Sequence, residues 1–228
     1  MCKKRLTFVQ WGYKIIMNIL GLFMCGVAIV LAVQSGLGAS PWDVLSLGIT
    51  NYIPITLGQA SQIVAFILLI FTWSKGVIPG VGTILNAYFI GFFIDLTFKF
   101  GIKTPDQLSI KILMLLGSLI IFAFGIVLSL RAKIGVGTRD ALMEYLITST
   151  KKPVNLIRAC LEIGALAIGI LLKGPFGIGT IVLALTLGYF IKFAAKILNY
   201  DFDAFAHYTL KDSYLSLKNK KTDCTINK

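Results

Sequence analysis

The sequence predicts an all-α, polytopic membrane protein: six transmembrane helices arranged as two inverted three-helix repeats, each with a short helix that does not span. Three observations lead there. Long apolar runs carry no charge, the chain resembles itself at one fixed offset, and the basic residues are distributed unevenly around the apolar runs.

The chain has 228 residues, 14% of them charged, and a mean hydropathy of +0.84. No Lys, Arg, Asp or Glu occurs from Ile15 to Trp42 or from Val44 to Ser74. Further uncharged runs are Gly76–Ile94, Ile112–Leu130, Ile163–Leu172 and Gly174–Ile191. About 20 apolar residues are needed to cross roughly 30 Å of hydrocarbon. A soluble fold could not hide so many runs, because soluble helices keep a polar face. No small-residue cleavage site follows the first run, so it reads as a retained helix and not a signal peptide.

Sliding the chain by 97 residues places Gly38 on Gly135, Asp43 on Asp140 and Gly80–Thr83 on Gly177–Thr180. Between Gly80–Ile94 and Gly177–Ile191, 8 of 15 positions are identical. Such self-similarity is the mark of a duplicated unit. The boundaries are then 1–12 for an N-terminal segment, 13–105 and 106–199 for the repeats, and 200–228 for a tail.

Each repeat opens with a long helix, about 13–34 and 110–131. A glycine-containing break follows, Gly36–Pro41 and Gly135–Thr138. Next comes a short helix, about 42–52 and 139–149, too short to span. A second spanning helix covers about 57–74 and 154–172. A Gly-x-Gly-Thr turn opens the third, about 82–99 and 179–198.

Three crossings per repeat force the second repeat to enter upside down, the plan of many secondary transporters. Charge supplies the direction. With the N-terminus in the cytoplasm, the segment 35–56 is outside and holds no Lys or Arg. Its counterpart 131–153 is inside with Arg131, Lys133, Arg139, Lys151 and Lys152. Of 22 basic residues, 18 fall inside or at inner helix ends and 4 outside. This obeys the positive-inside rule, with both termini cytoplasmic. Trp11, Tyr13, Trp42 and Trp73 are expected at the interfaces as aromatic belt residues.

The same distribution removes nucleic acid as a partner. The net charge of +12 sits at the ends of apolar runs, where it serves topology and anionic lipid. The lipid bilayer is the expected partner, and a small-molecule substrate, a protein partner or self-association are compatible with the chain. The four cysteines have no metal spacing and no paired pattern, so neither metal nor cofactor is expected. No nucleophile elbow, His pair or phosphate loop is present, and an enzyme is not expected.

Three groups of residues are candidates for function. The break motifs supply Ser40, Asp43, Thr138, Arg139 and Asp140. A half-helix starting at membrane depth presents free N–H groups and partial positive charge to an anionic group. An interfacial turn, with each Asp merely neutralising a helix N-terminus, explains the same residues. The second group is Thr83, Asn86 and Thr180, on helices with small residues every four positions. Those helices either form the seam between repeats or line a substrate path. The third is Arg158 and Glu162, four residues apart on one helix face. A charge at helix centre costs about 2.5–3.5 kcal/mol, so they either pair with each other or face a polar pathway. Asp95, Lys192 and Lys196 lie near helix ends, where they are expected to snorkel. His207 reads as a tail residue, 200–216 as an interfacial segment and 217–228 as disordered.

These residues resemble the YczE/YyaS/YitT family of bacterial membrane proteins, nearest its YczE branch. The resemblance rests on Gly36-Leu-Gly-Ala-Ser-Pro-Trp-Asp43, Pro79-Gly-x-Gly-Thr-x-x-Asn86, Arg139-Asp-x-Leu-Met143, Arg158-x-x-x-Glu162 and Gly177-x-Gly-Thr180. Tyr189 stands where relatives often have proline, and Thr138 and Ala141 flank Arg139-Asp140 where relatives often have proline and glycine. The resemblance implies a bacterial plasma-membrane location and no particular activity.

Architecture then points to a secondary transporter or exporter of a small polar or anionic molecule. A non-transporting scaffold or accessory protein is the alternative. An intramembrane enzyme acting on a lipid or isoprenoid would need Asp43 and Asp140 together on a metal. The inverted topology is expected to hold them near opposite faces.

Overall fold

The computed structural model describes residues 7–200, 209 and 210. The expectations for His207 and for most of 200–228 lie outside the described residues. The described chain is all-helical: α1 (Phe8–Gln34), α2 (Pro41–Thr50), α3 (Leu57–Ser74), α4 (Val81–Phe98), α5 (Leu108–Arg131), α6 (Thr138–Thr150), α7 (Val154–Leu171) and α8 (Ile178–Ile197). Six of these are long and apolar enough to cross a membrane. The other two, α2 and α6, have 10 and 13 residues. The starts of α2 and α6, of α3 and α7, and of α4 and α8 are each 97 residues apart.

Local chemistry sets these starts. Thr7 with Gln10 and Thr56 with Gln59 form reciprocal capping boxes on α1 and α3. Pro41 opens α2, where its missing N–H costs nothing. At α4 and α8 the Thr83 and Thr180 hydroxyls accept from the Gly80 and Gly177 N–H groups, at 3.3 and 3.4 Å. α6 ends on Lys151 in the left-handed conformation, two residues before Pro153.

The centre of the bundle is the crossing of α1 and α5. A Cβ on Gly21 would lie 2.6 Å from the Gly125 carbonyl oxygen, and one on Gly125 would lie 2.8 Å from that of Gly21. The two backbones therefore touch, as small residues permit in membranes. The Asn18 amide donates to the Ser129 hydroxyl across the crossing at 2.7 Å. α4 flanks α1, and α8 flanks α5.

The halves then exchange contacts. α2 packs on α7, and α6 packs on α3. The Gly179 N–H donates to the Leu37 carbonyl at 2.7 Å, and the Gly82 N–H donates to that of Ile134 at 2.9 Å. Each Gly-x-Gly-Thr start is thus seated on the break of the other half. Gly38 and Gly135 make this approach possible, with φ of +129° and +155°. A Cβ on Gly135 would stand 2.6 Å from the Thr83 nitrogen.

The same small-residue helices behave differently further along. Gly91 packs against Gly58 of α3, inside its own half, and a Cβ on either would overlap the other's carbonyl oxygen. Asp95 completes the contact: its carboxylate accepts from the Gly58 N–H at 3.0 Å and from the Thr56 hydroxyl at 2.6 Å. The expectation that Asp95 snorkels is therefore corrected. It has donors on α3 and stays between the helices. The equivalent positions in the second half are Pro153, Asn155 and Lys192, and a Cβ on Gly188, the counterpart of Gly91, would meet nothing. α3 and α4 are clasped, while α7 and α8 are not.

Candidate functional site

α2 begins in the middle of the bundle. Its first turn packs Trp42 against Ala165, about two-thirds of the way along α7. At its other end the Asn51 amide donates to the Leu172 and Lys173 carbonyls, just beyond the end of α7. α6 runs the opposite way. Its Leu142 packs with Trp42, and Tyr145 meets Phe71 near the end of α3 with ring centroids 5.9 Å apart. The two short helices therefore enter from opposite ends and meet N-terminus to N-terminus.

At that junction the Arg139 guanidinium lies over the Trp42 ring, 5.0 Å from its centroid. This is cation–π geometry. The two residues lie 97 apart in the sequence, the offset that also separates the helix starts. Arg139 also stands 3.9 Å from Asp43 Oδ1, the one ion pair within 4 Å among the described residues. Asp43 is buried, at 1% exposure. Its other oxygen accepts from the Ser40 hydroxyl. Oδ1 has no hydrogen-bond donor. The guanidinium side chain remains 35% exposed.

α7 brings in two more charges. Glu162, half-buried, lies near Arg139 and Arg158 and beside the Trp42 indole. Asp140, exposed, interacts with Arg158 before Arg139. Asp43 and Asp140 each reach back toward the N-cap of their own helix, Ser40 and Gly137. That arrangement neutralises each helix end locally. Asn86 of α4 approaches Gly137 from the side; its amide nitrogen would lie 3.7 Å from a Cβ placed there.

Several expectations change here. Asp43 and the Arg139-Asp140 pair are not near opposite faces, because both short helices begin at the middle of the bundle. The local neutralisation of each helix N-terminus expected of Asp43 and Asp140 matches their approach to Ser40 and Gly137. Arg158 and Glu162 do not form an ion pair with each other within 4 Å, though each lies near the other as well as near charges of α6. Thr83, Thr138 and Thr180 are buried, and Thr83 and Thr180 are spent on helix starts. Trp42 is no belt residue, being 7% exposed at the junction, and Trp11 is also buried, against Met17, Ala132 and Ile134. Tyr13 and Trp73 are exposed. Trp42 is the site residue that sequence reasoning missed. Its signal was its alignment with Arg139 at the 97-residue offset.

A crevice of about 110 Å³ lies beside the first break, between Gly36–Ala39 and the 175–177 loop. Among the described residues, no three His, Cys, Asp or Glu side chains come together as a metal site.

Comparison with known proteins agrees with the resemblance seen in the motifs. Residues 12–196 match the family of unknown function DUF6198. A Haemophilus influenzae protein named only as uncharacterized is 32% identical over 82% of this chain and 85% of its own length. The uncharacterized membrane protein YczE of Bacillus subtilis is 28% identical over 79% of this chain and 86% of its own. YyaS of the same organism, also named as uncharacterized, is 31% identical over 72% and 83%. No solved structure matches. Six spanning helices and these relatives make the chain a multi-pass membrane protein, and it belongs to the DUF6198 family.

Proposed function

We propose that the protein is a secondary transporter of a small polar or anionic molecule, with its binding site at the junction of α2 and α6. The observation that carries this reading is the convergence of Asp43, Arg139, Asp140, Arg158 and Glu162 where two half-helices meet inside the bundle. Charges at membrane depth are expensive and are retained for pathways and relays. Half-helices whose N-termini converge on one point recur in transporters built from inverted repeats. Arg139, Asp140 and Arg158 also reach the protein surface. A charged surface of this kind suits water or a solute better than lipid.

The two halves work as inverted repeats in this reading, with both termini in the cytoplasm of a bacterial cell. The clasped α3–α4 pair and the open α7–α8 pair then lie toward opposite faces, as one side of an alternating-access cycle requires. No catalytic step is involved. The orientation is tested with an impermeant thiol reagent: Asn51→Cys should label in whole cells and Thr150→Cys only after permeabilisation. The reverse pattern would reject it.

Transport is tested in proteoliposomes loaded with a panel of small carboxylates, phosphates and amino acids. Wild-type protein should give flux for at least one solute. Asp140→Asn and Glu162→Gln should each lower it at least tenfold while still inserting and folding. Wild-type flux in both variants would remove these residues from the pathway.

A further inference from the structure

The reading of the α2–α6 junction as a substrate site leaves open which chemistry it takes. The geometry contains both a donor and an acceptor with unused capacity. Arg139 has five N–H donors, and among the described residues none of them has a hydrogen-bond acceptor; the guanidinium is held by the Trp42 face and by a 3.9 Å approach to Asp43. Asp43 Oδ1 is buried without a donor. A buried carboxylate oxygen left in this way costs free energy unless something else supplies the bond.

Charge adds a second constraint. With all five side chains ionised, two arginines face three carboxylates, and each half-helix N-terminus contributes roughly +0.5. The junction is therefore close to neutral. A net charge brought into it would be buried without compensation, which is costly. A solute that carries both signs would not incur that cost.

We infer that the junction binds a small zwitterion of the amino-acid type. Its carboxylate takes the fork of Arg139, the bidentate pairing for which guanidinium is shaped. Its ammonium group takes the place Arg139 now holds, over the Trp42 ring and beside Asp43 Oδ1, with Glu162 at the edge of the indole. Arg139 has the freedom to make this exchange, because its side chain is 35% exposed and no hydrogen bond ties it down. In the unliganded protein Arg139 and Asp43 each stand in for one end of the solute.

Matched probes test the inference on the purified full-length chain in nanodiscs. Alanine, leucine and phenylalanine are each compared with their deaminated acid and decarboxylated amine by calorimetry and thermal unfolding. At least one amino acid should bind, and its acid and its amine should each bind at least tenfold more weakly. Arg139→Gln and Asp43→Asn should each reduce the affinity at least tenfold. Arg139→Lys, which keeps the charge but loses the fork, should lose affinity while unfolding at the wild-type temperature. An acid or amine that binds as well as its parent would overturn the zwitterion assignment and leave a transport site of a different class. Binding unaffected by Arg139→Gln and Asp43→Asn, or no binding by any amino acid, would also overturn it. Zwitterion binding without flux in proteoliposomes would instead spare this inference and reject the transport reading.

Discussion

The Trp42 indole has neighbours whose contributions can be separated. Arg139 covers its face, Glu162 lies beside it, and Leu142 and Ala165 pack against its body. Trp42→Ala removes all of these contacts and leaves a cavity at the junction, for which a cost of about 3–5 kcal/mol is typical. Trp42→Phe keeps an aromatic face for Arg139 and fills less of the site, so it should cost less, about 1–2 kcal/mol. Melting of the purified variants should rank them wild type, Phe, Ala. Equal melting of Trp42→Ala and wild type would mean that the junction is not packed as described. At this scale the sequence was informative about which residues matter and poor at pairing them. Asp43, Arg139, Arg158 and Glu162 stood out because charge is rare in apolar runs. That Arg139 would meet Asp43 in preference to a neighbour on its own helix depends on where α2 and α6 end up in depth. Apolar periodicity carries no such information.

Among elements, α4 and α8 make the sharpest comparison. They share Gly-x-Gly-Thr starts and equivalent glycines at 91 and 188. The spans were readable because charge-free runs mark them, and the starts of α4 and α8 because Gly-x-Gly-Thr turns open them. The difference in packing was not read, because it depends on partners at other positions. Gly58 and Thr56 let α3 approach α4 and bond Asp95, whereas Asn155 and Pro153 stand at the matching places on α7. Gly91→Val should overpack the α3–α4 contact by about 1–3 kcal/mol and lower the melting temperature. Gly188→Val should leave it unchanged, since a side chain there meets open space. Equal effects from both would show that α7 and α8 pack as closely as α3 and α4.

At the scale of the whole molecule, the two short helices decide the architecture. Read as interfacial segments they would lie on opposite membrane faces, roughly 30 Å apart. In the structure they turn inward, because Gly38 and Gly135 let each break fold back onto the start of α8 or α4. Everything proposed for the junction depends on that inward turn. It is tested most directly by disulfide crosslinking in native membranes. The chain would carry Trp42→Cys and Leu142→Cys, with Cys2, Cys25, Cys160 and Cys224 replaced by alanine. A second chain would carry Asn51→Cys and Thr150→Cys at the outer ends of the same two helices. Mild oxidation should join 42 to 142 within one molecule and leave 51 and 150 unjoined. Failure of the 42–142 pair to crosslink, in protein that inserts into the membrane, would contradict a junction of half-helices at the centre of the bundle.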